Sequence, residues 1–488
     1  MKKQILILAC AIGLLNMSCE EYLDVNTSPN NPTSDNVPAN LVLAGAMETI
    51  FPTQSNTMNR LGNAFMNTWG PNVNSFTGGF ADEFSLAVDN TFYSGIWDSL
   101  YLGISPFQSI INADGSTYNN HKAIAMVMKS FYMQYIVDLY GDAPYTQAFL
   151  RGENLTPSYD NDMSIYMALM TQLDDAIALI EGQEGAIVGN EDIMFEGDMG
   201  NWKRFANTVK LKMLVRLSTK AQAGTDAALT TYVADQFAAL DQDFVSQDVT
   251  INPGYSDDSN DRLNPFYRTY GFDNEGNVST TNNFIRGSEH AIQFLQGTST
   301  GTSDPRLGLI YAPNSSNQFV GIQQGEDNAA TDLSGLGTGL LVAPSQDGYV
   351  MTGAESFFLQ AEARFHGYLP GNPEESYNAG IQASFDLLGA GSSVAYAGNA
   401  GVSYAAATNK IEAIMTQKWI AVNGINAIES WIDYTRTGFP IVPLPTSAQF
   451  SDKPNRLMYP NSEYSGNAAN VPTQTQADAF STKIFWDN

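Results

Sequence analysis

Residues 124–145 read IAMVMKSFYMQYIVDLYGDAPY. Ile124, Phe131, Tyr135 and their larger apolar neighbours return every three or four positions, which is the spacing of one face of an α-helix. Gly141 then interrupts the pattern, since a glycine readily adopts the positive φ that ends a helix. This stretch predicts a long core helix that ends in a polar turn.

Similar spacing predicts helices on both sides of this stretch. They are expected within 41–66, 97–111, 165–180, 205–217, 226–240, 281–296, 353–366, 374–388, 406–422 and 425–434. Long Gly-, Ser-, Asn- and Thr-rich stretches separate them at 251–284, 297–345 and 389–405. Irregular connections of this length are uncommon in a compact domain unless they carry function. The pattern favours paired helices that form a scaffold for long loops.

The composition excludes several classes of protein. The chain has 488 residues, 43% of them hydrophobic and 11% aromatic, which is too apolar for a wholly disordered protein. It has 23 Lys and Arg against 51 Asp and Glu, a formal charge of −28. Binding to nucleic acid or to an anionic membrane surface needs a surplus of bases, so neither is expected.

The two cysteines, Cys10 and Cys19, both lie near the N-terminus. A disulfide framework, a cysteine nucleophile and a thiolate metal site in the body of the protein are therefore excluded. An apolar run of eleven residues, Ile5–Leu15, follows two lysines. The run is too short to span a bilayer but fits the apolar region of a signal peptide.

Cys19 follows the small Ser18 at the end of this region, which resembles a bacterial lipoprotein signal. Cleavage would remove residues 1–18 as the signal peptide, leave Cys19 to be lipidated, and change the formal charge from −28 to −30 because two lysines are lost. Glu20 and Glu21 are similar to the surface-export signal of Bacteroidetes lipoproteins. The alternative is an ordinary secretory signal with an incidental cysteine. Residues 19–38 are predicted to form an extended leader.

Four segments carry a wider resemblance. They are the leader residues Tyr22–Asn26 and Pro29–Thr33, the turn Leu139–Tyr145, the pair Trp202–Thr208 and Leu211–Ser218, and the run Glu355–Ala363 with Tyr377–Ile381, closed by Gln417–Ala421 and Arg436–Pro440. In this order they resemble the SusD/RagB family of outer-membrane nutrient-binding lipoproteins, with the leader closest to the second SusD-like subgroup.

The resemblance implies a mostly α fold, a single large domain over residues 39–488 of tetratricopeptide-like helix pairs with long irregular loops and few short strands. It implies a lipid-anchored protein on the extracellular face of the outer membrane. There it would capture an oligosaccharide or oligopeptide as the lid of a TonB-dependent, SusC-like barrel transporter. No catalysis and no cofactor are implied. The alternatives are a surface hydrolase of glycans or peptides, and an adhesin or structural surface lipoprotein.

Two loops are candidate ligand sites, because a sugar ring has apolar faces that stack on aromatic side chains and a polar rim that needs amide or hydroxyl partners. The first loop offers Trp69, Asn72, Asn74, Phe76 and Phe80. The alternative is that Trp69 ends the preceding helix and packs inside.

The second candidate loop offers Phe266, Tyr267, Tyr270 and Phe272, in a polar stretch where no helical stripe explains them. The alternative is that these aromatics anchor the loop to the scaffold.

Two other patterns are more typical of residues that stabilise the fold than of a ligand-binding or metal site. Six bases between Lys203 and Lys220 are expected to pair with acids in the fold, although a basic groove for an acidic ligand is the alternative. Asp257, Ser259 and Asp261 have the spacing of a calcium loop, but Arg262 replaces its glycine. No metal site is predicted.

Overall fold

Helices form most of a computed structural model that describes residues 37–72, 79–326 and 332–487. We number them α1 Ala39–Pro52, α2 Asn59–Phe65, α3 Ala81–Ser85, α4 Gly95–Ile111, α5 Asn119–Tyr140, α6 Asp162–Gly182, α7 Met199–Ala223, α8 Ala227–Ala239, α9 Pro265–Tyr270, α10 Thr280–Phe284, α11 Glu289–Leu295, α12 Leu307–Ile310, α13 Gly353–Phe365, α14 Pro373–Leu388, α15 Val394–Ala397, α16 Lys410–Ala421, α17 Ile428–Thr437, α18 Asn461–Gly466 and α19 Asp478–Ser481. A π-helical turn, Thr53–Met58, joins α1 to α2. The predicted mostly α fold is confirmed.

The predicted signal peptide, Cys19 and all but two residues of the leader lie outside the described residues.

The long helix predicted from the opening stretch is α5, which ends at Gly141 with φ of +78° as expected. The Asp142 carboxylate accepts a hydrogen bond of 2.8 Å from the backbone N–H of Asp162, where α6 begins. Asn161 caps α6 by accepting from the N–H of Ser164. The turn after α5 is therefore tied to the start of the next helix, which fixes the pair.

Neighbouring long helices pack against one another along most of the chain, in the pairs α4–α5, α5–α6, α6–α7, α7–α8 and α13–α14. The main hydrophobic core includes residues from Ala39 to Trp486, so both ends of the described chain contribute to it. A second, smaller core lies mainly between α13, α14, α15 and α16.

One described helix, α6, is long and apolar enough to cross a membrane by length and composition alone. It packs between α5 and α7, and its Asp174 binds Lys210 of α7 at 2.6 Å. A core helix of a globular fold passes the same test, and the packing of α6 fits that role.

Two small antiparallel sheets interrupt the helices. β1 (Trp69–Pro71) pairs with β3 (Ile285–Gly287), and β2 (Val249–Ile251) pairs with β4 (Gly348–Met351). The single helix predicted over 281–296 is therefore wrong, because β3 divides it into α10 and α11. Gly287 permits the break: a Cβ there would lie 2.8 Å from Ile292 and 2.9 Å from Tyr311.

The basic segment on α7 does pair with acids, as predicted. Buried Lys212 binds Glu355 at 2.9 Å and Glu429 at 2.6 Å, and Arg216 binds Asp138 and Glu429. Three other bases of this segment, Lys203, Arg204 and Lys210, bind exposed acids. The sixth base, Lys220, donates to the backbone carbonyl of Phe485. Five of the six bases therefore pair with acids, and they do not line a basic groove.

Two further cations extend the buried charges. Lys418 of α16 binds Asp433 at 2.7 Å, and Arg436 binds the Glu362 carboxylate through two nitrogens at 2.5 and 2.8 Å. We call the residues Asp138, Lys212, Arg216, Glu355, Glu362, Lys418, Glu429, Asp433 and Arg436 the buried ion network. Burial disfavours the charge on Glu429, but Lys212, Arg216 and Lys418 outweigh burial and hold its pKa well below the usual range.

Glu362 gives a pH-dependent test of this network. Burial raises its pKa, but Arg436 outweighs burial and the pKa falls to about 2 from an ordinary 4.5. A depressed pKa stabilises the fold above the unfolded value and loses that contribution as pH falls towards 2. Glu362→Gln should therefore lower the free energy of unfolding by about 3 kcal/mol at pH 7, measured by urea denaturation.

The difference between Glu362→Gln and the parent protein should shrink as pH falls from about 5 to about 2. Asp138 is present in both proteins, so subtracting their stabilities at each pH cancels its contribution and isolates that of Glu362. This matters because burial raises the pKa of Asp138 to about 6. Glu181→Gln is the control, because its pair with Lys203 is exposed and should contribute less than about 1 kcal/mol. A loss that does not change with pH would contradict the assignment.

Candidate functional site

Strand pairing places the start of the first candidate loop next to a strand that follows the second candidate loop. In the β1–β3 ladder Trp69 lies opposite Gly287 and Pro71 opposite Ile285. The ladder extends by one bond of 2.7 Å from the N–H of Asn72 to the carbonyl of Phe284. The Asn72 side chain also donates to the Asn283 carbonyl at 3.2 Å. Residues 69–72 and 283–287 therefore lie side by side.

Trp69, Phe266 and Tyr270 are buried beneath this region. The Trp69 ring is fully enclosed, with its centroid 5.0 Å from that of Tyr270, and Tyr270 contacts Phe266 at the same distance. The Tyr270 hydroxyl donates to the Asn56 carbonyl at 2.9 Å. None of these three side chains offers an open ring face, so they are left out of the surface that is proposed below, and their contact with a ligand stays a prediction. The alternative, that Trp69 packs inside, is confirmed.

The helix α9 explains why Phe266 and Tyr270 of the second candidate loop are buried. Asn264 caps it by accepting from the N–H of Tyr267, and Pro265 occupies its first turn. Phe266 and Tyr270 are four residues apart, so they share the inner face of this helix. Tyr267 lies on another face and is partly exposed, and it contacts the partly exposed Phe272 at 5.9 Å between ring centroids. These two aromatics remain candidate ligand contacts.

Phe80 and Asn72 also serve the fold. Phe80 is buried and stacks on Phe84 and Phe284, with both ring centroids 5.2 Å away. Asn72 is buried where the two loops meet. Both side chains therefore hold the loops together, and ligand contact by either stays a prediction. Asn74 and Phe76 lie outside the described residues.

A surface groove of about 380 Å³ opens beside Phe80, and sequence reasoning missed it. Its wall includes Arg60 of α2, Glu83 of α3, Thr91 and Tyr93. The Tyr93 hydroxyl donates to Glu83 Oε1 at 2.8 Å, and an Arg60 nitrogen lies 3.6 Å from the same oxygen. The groove thus combines a carboxylate, a guanidinium and a hydroxyl with aromatic walls.

Arg60 connects this groove to the buried aromatics. Its guanidinium carbon lies 4.6 Å from the centroid of Phe80, over the ring face, and 5.8 Å from that of Phe284. Burial acts against its charge, but Tyr93, Glu83 and Tyr270 outweigh burial and raise the pKa of Arg60. Burial and the neighbouring Glu83 raise the pKa of Tyr93 well above its usual range. At neutral pH the groove therefore presents a fixed cation and a protonated phenol.

The backbone around the groove is strained. Phe80, Leu86 and Tyr93 have φ of 59°, 57° and 51°, in the left-handed region that side chains of this size rarely adopt. Each such residue costs about 1–3 kcal/mol and persists only where the surroundings enforce it, often at ligand sites. This strain could not be read from the sequence, because none of the three positions is a glycine. We group Arg60 and residues 79–93, which form and flank the groove, with the partly exposed pair Tyr267 and Phe272 of the second candidate loop, and call this set the aromatic face.

The described residues contain no group of three or more His, Cys, Asp or Glu side chains placed to hold a metal ion. In the segment with calcium-loop spacing, Asp258 lies 3.4 Å from Arg262 and Asp261 lies 3.4 Å from Arg268. The absence of a metal in the working protein stays a prediction.

Comparisons with known proteins agree on one family. The profile of the SusD-like_2 family, described as starch-binding and associating with the outer membrane, matches residues 29–460. No curated protein sequence matches the chain.

Among solved structures, a chitin-binding SusD homologue from Flavobacterium johnsoniae is 22% identical. The match covers 91% of this chain and 98% of that one, with a TM-score of 0.72. A SusD-like protein from Bacteroides thetaiotaomicron is 21% identical, with 92% and 99% of the chains covered and a TM-score of 0.73. Likeness at these identities shows the fold.

The burial of Trp69 predicts a stability phenotype. Trp69→Ala should lower the free energy of unfolding by about 3–5 kcal/mol, because it opens a cavity next to Tyr270. Tyr267→Ala, on the exposed side of the same region, should lower it by less than about 1 kcal/mol. Chemical denaturation of both variants measures the difference. Equal stability of the two variants would contradict the buried position of Trp69.

Proposed function

The chain belongs to the SusD-like family, and we propose that it is a surface lipoprotein that binds an oligosaccharide and delivers it to a TonB-dependent transporter. The observation that carries the proposal is the family match over residues 29–460, joined to a groove whose chemistry suits a sugar. The named binding of chitin by a structural relative makes a glycan the first choice of ligand, ahead of an oligopeptide.

The aromatic face offers both kinds of contact that a sugar needs. Tyr93, Tyr267 and Phe272 supply partly exposed rings for the apolar faces of the sugar. Arg60 donates hydrogen bonds to sugar oxygens, while Glu83 accepts them from sugar hydroxyls. A groove of about 380 Å³ falls within the usual range for small-ligand sites.

The contacts of Glu83, one of two acidic residues that line the groove with Asp82, favour binding over hydrolysis. Glu83 Oε1 accepts a hydrogen bond from Tyr93 and lies 3.6 Å from Arg60, so the fold already uses it as a hydrogen-bond acceptor. A glycosidase needs one carboxyl that stays protonated to release the leaving group. We therefore propose that the protein binds its ligand without converting it.

The predicted N-terminus supplies the location. Lipidation of Cys19 would hold a body of formal charge −30 outside the outer membrane, and acyl chains bind a bilayer by about 0.8 kcal/mol per buried CH₂. From this position the protein would cover the extracellular mouth of its SusC-like partner.

Mutation of the aromatic face tests the ligand site. Tyr93→Ala and Tyr267→Ala should each weaken binding of a chitooligosaccharide at least about tenfold, because each removes a stacking ring. Phe365→Ala is the matched control, since this exposed aromatic lies on α13 and should leave affinity unchanged. Titration calorimetry measures the affinities, with maltooligosaccharides and a peptide panel as competing ligand classes.

Melting temperatures of the same variants separate loss of contact from unfolding. Unchanged affinity in both tyrosine variants would contradict the site assignment. Binding to peptides alone would contradict the proposal that the ligand is a glycan.

The anchor has its own test. Cys19→Ala should move the protein from the membrane fraction to the soluble fraction, because the acyl chains are lost. Detergent phase partitioning of the parent and variant, with labelled fatty acid, measures this shift. Membrane retention of Cys19→Ala without label incorporation in the parent would refute lipidation.

A further inference from the structure

The charge of the groove in the aromatic face limits which ligands it can take. Three charged side chains line the groove, Arg60, Asp82 and Glu83, so carboxylates outnumber cations by two to one. The wall segment 79–93 also contains Asp89 and has no Lys or Arg. The groove is therefore negative on balance, in a chain whose formal charge is −28.

Two of these charges already have partners within the protein. An Arg60 nitrogen lies 3.6 Å from Glu83 Oε1, and the Arg60 guanidinium carbon lies 4.6 Å from the centroid of Phe80. The Tyr93 hydroxyl donates to the same Glu83 oxygen at 2.8 Å. Arg60 and Glu83 thus balance each other, and a charged ligand group gains little from either.

Asp82 is the acid of the groove that stays open to a ligand. It is exposed, and its backbone carbonyl accepts a hydrogen bond of 2.9 Å from the N–H of Ala87, which fixes the residue on the groove wall. Its carboxylate makes no hydrogen bond or ion pair with the part of the chain that the structure describes. Both carboxylate oxygens can therefore accept hydrogen bonds from a ligand.

Aromatic rings beside this carboxylate favour a cation over a neutral group. Phe80, Phe92 and Tyr93 line the same groove, and Tyr93 is partly exposed. The face of an aromatic ring attracts a positive charge, and Arg60 over Phe80 is an example within the protein itself. An ammonium group in the groove would meet a ring and a carboxylate together, and its charge-assisted hydrogen bonds are stronger than neutral ones.

Acidic ligands are disfavoured for the same reason. A uronate or sulfate group in the groove would lie near Asp82, and placing like charges side by side opposes binding. The repulsive element acts against acidic sugars while the attractive one acts for basic sugars, so a single carboxylate separates the two classes.

We propose that the groove selects an oligosaccharide with free, unacetylated amino sugars, and that Asp82 pairs with their ammonium groups. This inference rests on the proposed function, since it needs a glycan at the aromatic face. It adds the chemical class of the sugar and names Asp82 as the residue that determines specificity. Acetylation of the amine removes its charge, which provides a matched pair of ligands.

Three ligands of equal length test the selection. They are a chitotetraose with one free amine, the fully acetylated chitotetraose and an oligogalacturonate, titrated by calorimetry in slightly acidic buffer that keeps the amine protonated. A salt concentration of about 0.15 M screens the rest of the acidic body beyond about 8 Å. The parent should bind the amine-bearing sugar at least about threefold more tightly than the acetylated sugar, and the oligogalacturonate most weakly.

Asp82→Asn should remove this preference, because the amide keeps the size of the side chain and loses its charge. Glu375→Gln is the matched control, since Glu375 is also an exposed acid in the first turn of a helix, and its loss changes the net charge by the same amount. The control should keep the preference of the parent. Melting temperatures should show both variants folded.

A preference that survives in Asp82→Asn would overturn the role of Asp82, and equal or tighter binding of the acetylated sugar would overturn the selection of an amine. Both results would leave the proposed function standing, because a glycan still binds. Tighter binding of a lysine tripeptide than of the amine-bearing sugar would overturn the sugar as the source of the amine. Binding of no glycan at all would overturn the inference and the proposed function together.

Discussion

The need to pair buried charges constrains this fold more than any other interaction. Lys212 and Arg216 are enclosed within the helices, and Glu429 of α17 bonds to both. A buried charge that loses its partner costs about 3–5 kcal/mol, so α5, α7, α13, α16 and α17 must meet in one register. An apolar core tolerates sliding and repacking, whereas these bonds have fixed lengths and directions. The network thus specifies one arrangement of the scaffold.

The C-terminal end of the chain depends on the same network. The indole N–H of buried Trp486 donates to Asp138 Oδ1 at 2.9 Å, and the Tyr166 hydroxyl donates to the same oxygen. The C-terminal segment after α19 is therefore joined to α5 and α6 at one carboxylate. A scaffold held in this way can carry strained segments such as 79–93 on its surface, because it contains several buried ion pairs, and separating each costs about 3–5 kcal/mol against about 1–3 kcal/mol for each strained residue.

Periodicity predicted most of the long helices, because their apolar stripes face a core that the chain itself supplies. The sequence predicted that acids would pair with the bases of α7, but it did not identify those acids, because Glu355 and Glu429 are far from α7 in the sequence. The β1–β3 pairing could not be predicted: three-residue strands leave no alternation to detect, and their partners are more than 200 residues apart. Without that pairing, Trp69 and Tyr270 look like loop aromatics.

The candidate site was also predicted only in part, because its residues are brought together by tertiary contacts. Phe266 and Tyr270 are four positions apart, which is helical spacing, but the surrounding polar stretch concealed a helix of six residues. The groove at Arg60, Glu83 and Tyr93 depends on a turn formed by left-handed, non-glycine residues, for which the sequence carries no signal. Function at the level of the family came from short motifs spread along the chain, whereas the residues that face the ligand depend on tertiary contacts.

We propose that a glycan binds at the aromatic face. Hydrogen–deuterium exchange of the mature protein, with and without a saturating chitooligosaccharide, measures this binding residue by residue. We expect slower exchange in residues 79–93 and 267–272, with α14 and α16 unchanged. Protection confined to α14 and α16, or no protection by any glycan that binds, would contradict it.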